Sequence, residues 1–373
     1  MRRHVGAHPS GDKSLASQAC RVVATGLRDA PMDAPPALAL DSERPSTPAS
    51  PASAPRGAVV VARLAWSVLA YNFAVVLWGA YVRASGSGAG CGRHWPLCNG
   101  EVVPRSPKFA TLVEVTHRAT SGLALVAVVT LLVVALRRLP RGHRARRAAV
   151  ASTVFIITEA LVGAGLVLFE LVAKDASMKR AWSMMLHLGN TFFLLGALAL
   201  TAWWSSVPAA PRALERSDRV PPQSRATYIL RGSLVLSLFS VLTLGASGAV
   251  AALGDTLFPA SSLREGLAQD LSPMAHAFVR LRVLHPVLAL GTAIAVLSTA
   301  GFVRSVWKTH RVQTLSRTVT ILFVVQFGAG LLNLTLLAPV GMQLVHLLLA
   351  DITWIALVLM AVEAWTPIHE RAI

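Results

Sequence analysis

Eight long apolar runs constrain this chain more than any other feature of its sequence. A helix needs about 20 mostly apolar residues to cross the hydrocarbon core of a bilayer. Runs of that kind cover 64–82, 111–136, 148–169, 181–204, 232–254 and 275–303. A further stretch, 318–350, carries no charge and is too long for one span. Pro339-Val340-Gly341 predicts a turn that divides it into spans at 318–338 and 341–363. The expected fold is an all-α integral membrane protein with eight transmembrane helices.

Composition agrees with that reading. Only 14% of the 373 residues are charged and 54% are apolar, whereas soluble domains carry about 25% charged residues. Two or three soluble domains are therefore excluded. The 35 Lys and Arg outnumber 18 Asp and Glu, giving a formal charge of +17. Such a balance raises the question of nucleic acid, but the basic residues form short clusters between the apolar runs. No basic domain or face gathers them, so nucleic acid is not an expected partner and membrane lipid is. The loops after spans two, four and six hold 15 Lys and Arg, and the alternate loops hold 8. The positive-inside rule then places both termini in the cytoplasm and the Cys91/Cys98 loop on the outer side of a plasma (inner) membrane.

Residues 1–57 contain 8 of the 21 prolines and no apolar run, which predicts a disordered cytoplasmic tail. Arg2 and Arg3 lack the apolar region that a signal peptide needs after them, and Met32 is an alternative start. Cys20 in this tail reads as a reduced bystander. Residues 206–227 read as a cytoplasmic linker and 366–373 as a second tail.

The membrane part repeats itself. Span two, "EVTHRATSGLALVAV", aligns with span six, "RVLHPVLALGTAIAV", pairing His117 with His285 and Glu114 with Arg282. Span four, "MMLHLGNTFFLLGAL", aligns with span eight, "QLVHLLLADITWIAL", pairing His187 with His346. Spans three and seven share a Gly-Ala-Gly-Leu core. The expected architecture is two pseudo-symmetric four-helix bundles, 58–205 and 228–365.

Of eleven histidines, only His117, His187, His285 and His346 lie a full turn or more inside the apolar spans, His276 standing at the very start of the sixth. Ionisable groups there are costly and mark function. All four sit two to three turns from the outer ends of their helices, so each pair can share one layer. Two facing imidazoles can hold a planar haem iron from its two axial sides. A zinc site would add a third protein ligand, and no repeated Cys or carboxylate supplies one. Glu114 lies one turn before His117 on the same helix face. It can steer protons or stabilise positive charge on a substrate, or it can form an ion pair with Arg118 or a loop arginine. Arg83, Arg118, Arg280 and Arg282 suit haem propionates, and interfacial snorkelling accounts for each of them equally well. Cys91 and Cys98 can close a small disulfide ring in the outer loop, either a structural staple or a redox-active pair. His94, between them, reads as an exposed loop residue.

Taken in order, "GAYVRASGSGAGCGRHWPLCNG", "EVTHR", "LHLGN", "LRVLHP" and "VHLLLAD" resemble the haem A synthase family over residues 60–365. The resemblance implies oxidation of a methyl group of haem O to a formyl group. It implies that His117 and His187 hold the substrate haem O with Glu114 assisting catalysis, and that His285 and His346 ligate a permanent haem b that passes electrons. It also implies a Cys91–Cys98 disulfide. A haem O synthase, cytochrome oxidase or its assembly factors, and an unidentified electron donor follow as partners. Some family members carry a second outer cysteine pair, but 254–274 contain no cysteine. The proline-rich tail likewise has no counterpart. A di-haem b membrane cytochrome linked to quinol explains the four histidines but not the Glu114/Arg282 asymmetry. A haem or ion transporter rests on the repeat alone.

Overall fold

A computed structural model describes residues 56–206 and 225–365. The expectations for residues 1–55, including Cys20 and Met32, for 207–224 and for 366–373 lie outside the described residues. Ten helices follow in order: α1 Arg56–Ala84, α2 Phe109–Arg138, α3 Arg144–Leu168, α4 Met178–Ser206 and α5 Arg225–Leu257, then α6 Leu263–Leu271, α7 Ala277–Arg282, α8 Leu284–Val306, α9 His310–Thr335 and α10 Val340–Trp365. The short α7 runs on into α8 as one span, Ala277–Val306, so eight helical segments of 25–33 residues are long and apolar enough to cross a membrane. Apart from one isolated bridge between Cys98 and Glu101, the described residues contain no β-structure.

The helices outrun the apolar runs that predict them. α2 retains Arg137 and Arg138, and α3 opens on Arg144. Backbone hydrogen bonding continues past the apolar core because long basic side chains keep their heads in water. His143 caps α3, its ring accepting from the Ala145 N–H at 3.2 Å. Partial burial holds this imidazole below its ordinary pKa, which favours the neutral form that can accept.

The reversal between α9 and α10 lies at 336–339, a little before the predicted turn. Leu337 and Ala338 take left-handed φ angles of 61° and 52°, and the Ala338 N–H closes back on Asn333 O at 2.8 Å. Proline has no N–H to lose at a helix start, so Pro339 leads into α10 and Gly341 is helical. The end of α3 is built the same way, with Glu170 at φ 58° and the Leu171 N–H on Leu166 O at 2.8 Å.

α1 and α3 each pack against α2 and α4, while α5 and α9 each pack against α8 and α10. The two sets meet where α4 lies on α5 and α10, and α1 on α10. Burial is 56% for the span of α4 and 50% for α10, against 39% or less elsewhere. These two helices therefore form the central seam. Trp354 of α10 stacks on Phe192 of α4 with centroids 5.3 Å apart and donates its indole N–H to Phe192 O at 2.6 Å. Outward positions such as Leu123, Phe239, Ile294 and Ile321 are exposed, as expected of a lipid-facing surface.

One cation joins the two sets of helices. Arg83, near the end of α1, donates to Ala252 O and Thr256 Oγ1 of α5 at 2.8 Å each, and to Gln343 Oε1 of α10 at 2.7 Å. Charge-assisted hydrogen bonds of this kind contribute about 1.5–3 kcal/mol where they are shielded from water. Replacing Arg83 by Met is expected to destabilise the protein by on the order of 2 kcal/mol, read as a lower midpoint of denaturant unfolding in detergent. An unchanged midpoint would show that the tie contributes nothing.

Candidate haem site

The four span histidines sit six to nine residues from the start of their helical segments, α2, α4, α7–α8 and α10. At 1.5 Å per residue that depth is roughly 9–14 Å. His285 and His346 face each other edge to face, with ring centroids 6.3 Å apart. His117 of α2 and His187 of α4 belong to the other set of helices. The ring nitrogens Nδ1 of His117, His187 and His346 are buried without a hydrogen-bond partner.

Three glycines make room for these rings, among them Gly330 of α9, where an added Cβ would fall 3.0 Å from Cε1 of His346. A Cβ on Gly79 of α1 would fall 2.8 Å from Cε1 of His117, and one on Gly248 of α5 would fall 3.0 Å from Cε1 of His285. At 2.8 Å something must shift, and at 3.0 Å the contact is tighter than nine in ten real Cβ contacts, so the ring must give by a few tenths of an ångström. Gly79 and Gly248 are 169 residues apart, and His117 and His285 are 168 apart. The repeat thus carries the glycine together with the histidine it faces.

Glu114 is 3% exposed and accepts the Cys91 N–H on Oε2 at 2.8 Å. Its Oε1 pairs with the guanidinium of Arg118, so the ion pair anticipated from spacing is present. Arg118 also donates to the carbonyls of His94 and of Leu97, the latter at 2.6 Å. Cys91 and Cys98 form a disulfide and are both buried. The disulfide loop therefore delivers one N–H and two carbonyls to the Glu114–Arg118 pair. That is a structural task for the cysteine ring, whatever its redox chemistry. His94 itself is exposed.

At the Arg282 position the polarity is reversed. Arg282 pairs with Asp270 and with Asp255, the latter at 3.3 Å, and reaches Gly266 O of α6 at 3.3 Å. Arg280 is exposed. Arg83 and Arg118 are engaged as described, so Arg280 is the candidate propionate contact whose guanidinium points to solvent.

A sequence profile of the family described as cytochrome oxidase assembly protein matches residues 62–358. The chain is 30% identical over 300 residues to the "Heme A synthase" of Alkalihalophilus pseudofirmus, covering 79% of this chain and 94% of that protein. It belongs to the haem A synthase family of cytochrome oxidase assembly proteins. It is also 48% identical over 304 residues to proteins named "Protoheme IX farnesyltransferase" from two strains of Thermus thermophilus, covering 82% of this chain. The chain spans about half the length of these relatives, 48%.

A haem fits the residues of this family member. With metal–nitrogen bonds of about 2 Å and a ring radius of about 1 Å, two imidazoles on opposite faces of one iron have centroids about 6 Å apart. His285 and His346 have that separation, at 6.3 Å. Buried polar atoms are otherwise satisfied, so the unpartnered Nδ1 of His117 and of His346 leave these rings free to meet a group from outside the chain.

Sequence reasoning passed over three features. Glu159 of α3 is the one acid in its apolar span, and its Oε1 lies 3.3 Å from Nδ1 of His187. Gly79 and Gly248 had a signal in their matched spacing from the histidines. Asp351 is fully buried on α10, and neither of its carboxyl oxygens has a hydrogen-bond partner. No pattern in the sequence distinguishes it from a lipid-facing or paired acid.

Alanine is intrinsically favoured over glycine in a helix by about 1 kcal/mol. Gly248→Ala is therefore expected to leave α5 intact while displacing the His285 ring. The expected outcome is a folded protein that loses at least half of the haem in the C-terminal helices, read from pyridine haemochrome content per protein. Full haem content in that variant would exclude the proposed seat for His285.

Proposed function

We propose that this chain is a haem A synthase, oxidising the methyl group of haem O to the formyl group of haem A. The observation that carries the reading is the His285–His346 pair at iron-spanning separation, joined to a second, unlike histidine pair that has a buried carboxylate one turn away. A cytochrome needs two electron-transfer sites and no site for chemistry. An oxidase of haem needs one site for chemistry and one for electrons, and the two halves differ in that sense.

In this reading 58–205 and 228–365 act as two pseudo-symmetric four-helix bundles. His117 and His187 hold the substrate haem O, and His285 and His346 hold a haem b, which supplies electron transfer when bound. The seam of α4 and α10 excludes water between the two sites. Glu114 sits on the His117 face of α2, fixed by Arg118 and by the Cys91 N–H. It accepts a proton or stabilises positive charge as the substrate methyl is hydroxylated twice, each two-electron step consuming an external oxidant, through an alcohol and a gem-diol that loses water to give the aldehyde. Arg118 keeps this carboxylate in place, and the Cys91–Cys98 ring keeps Arg118 in place. Both termini face the cytoplasm and the disulfide loop the outer side of the plasma membrane, in line with the 15-to-8 imbalance of basic residues.

The proposed partners are a haem O synthase that supplies substrate, an electron donor, and cytochrome oxidase or its assembly factors as recipients. The Thermus thermophilus relatives support the first of these. Their name describes farnesylation of protohaem, the class of reaction that makes a prenylated haem, and about half of each protein lies beyond the match.

The test is haem extraction from membranes that contain this protein together with a haem O synthase, followed by chromatography. Haem A or its hydroxylated precursor is expected, and is expected to disappear in His117→Ala. Glu114→Gln is expected to lower conversion by about 100-fold, the usual weight of a positioned proton acceptor, with both haem sites still loaded. Only haems B and O, from a haem-loaded protein supplied with reductant, would replace this reading with the di-haem cytochrome.

A further inference from the structure

The four histidines are backed by different groups. Ser247 Oγ lies 3.0 Å from Nδ1 of His285, and Gln326 Nε2 lies 3.2 Å from Nε2 of His346. Nδ1 of His117 has no hydrogen-bond partner. His187 alone of the four has a carboxyl group behind it, with Glu159 Oε1 3.3 Å from its Nδ1. That contact lies within ion-pair range but off the line of a full hydrogen bond, so a small rotation of the ring aligns it.

Glu159 is clamped from α4. The side-chain amide of Asn190 donates to Oε2 and the hydroxyl of Thr191 donates to Oε1. Asn190 is held in turn, donating to Phe155 O at 2.9 Å and accepting from Thr158 Oγ1 at 2.6 Å. Every partner presents a donor, so the oxygens of Glu159 act as acceptors, the role of an ionised carboxylate. Asn190 and Thr191 follow His187 by three and four residues, so one turn of α4 presents the imidazole and the clamp on its carboxylate together.

We infer that Glu159 is a positioning residue for His187, accepting the Nδ1–H so that Nε2 faces the haem, and that it makes His187 the most electron-donating of the four ligands. The inference rests on the reading that His187 holds haem O. A carboxylate behind a metal-bound imidazole fixes its tautomer and raises its basicity. A more basic axial ligand stabilises ferric iron and lowers the reduction potential. The second bundle offers His285 and His346 only a hydroxyl and an amide, so the two irons are held at different potentials by groups of unequal charge.

The test is spectroelectrochemical titration of the purified full-length protein loaded with haem O and haem b in lipid nanodiscs. Glu159→Gln removes the charge and is expected to shift the haem O midpoint upward while the haem b midpoint stays in place. Thr191→Val removes a competing donor from Oε1, leaves more charge towards His187, and is expected to shift the same midpoint downward. Thr191→Val is nearly isosteric, so it decides the matter alone if Glu159→Gln fails to fold. His187→Ala is the control. If it abolishes haem O binding while the other variants leave the haem O midpoint unchanged, the inference is overturned and the ligand reading stands. Equal shifts of both haems also overturn it, since they indicate a general structural change. If His187→Ala keeps haem O with an unaltered spectrum, the ligand reading itself fails.

Discussion

Water is absent from the interior of a membrane-spanning bundle, and most of this structure follows from that. Each polar group in an apolar helix must find a partner inside the protein or carry a large cost. The partners found here are few and specific. Arg83 is satisfied by acceptors on two other helices, and Ser237 of α5 by Thr299 of α8 at 2.9 Å. Glu159 is surrounded by donors from α4. Against that background the unpartnered imidazole nitrogens and the bare carboxyl of Asp351 stand out, because a bundle of this kind leaves polar atoms unmatched only where something else is to meet them.

The seam of α4 and α10 turns two helix sets into one device. Both helices carry a histidine towards the interior of their own set, and both present aromatic and aliphatic side chains to each other around Phe192 and Trp354. Haems held by these histidines would be separated by packed protein and not by solvent. In the proposed reading, the differences between the halves separate a site for chemistry from a site for electrons. One half has Glu114 locked by the disulfide loop and Glu159 behind His187. The other has Arg282 locked by Asp255 and Asp270 and neutral groups behind its histidines. At the aligned positions 114 and 282 one half thus carries an acid and the other a base.

Much of this was legible from the sequence. The eight spans were visible because the backbone in lipid admits only long apolar helices, and their count and order match. The four histidines were legible as rare ionisable groups at repeated spacing. The Glu114–Arg118 pair was one of the alternatives left open, beside a loop arginine, and the structure selects it. The turn at Pro339 was misplaced by a few residues because left-handed Leu337 and Ala338 close α9, and neither residue type signals that conformation. Arg83 and Arg282 looked like free cations suited to propionates. Their actual acceptors come from α5, α10 and the α6 region, across long stretches of chain that spacing cannot connect.

The sequence by itself determined the membrane class, the helix count, the repeat and the identity of the four histidines. All of these depend on local composition and period, which one-dimensional order preserves. The tertiary structure decided which groups face one another: Glu159 behind His187, glycine against His117 and His285, the disulfide loop on Glu114, and Asp351 in an interior without a partner. Those pairings depend on the rotation and offset of one helix against another, which are set by side-chain packing at contacts distant in the chain.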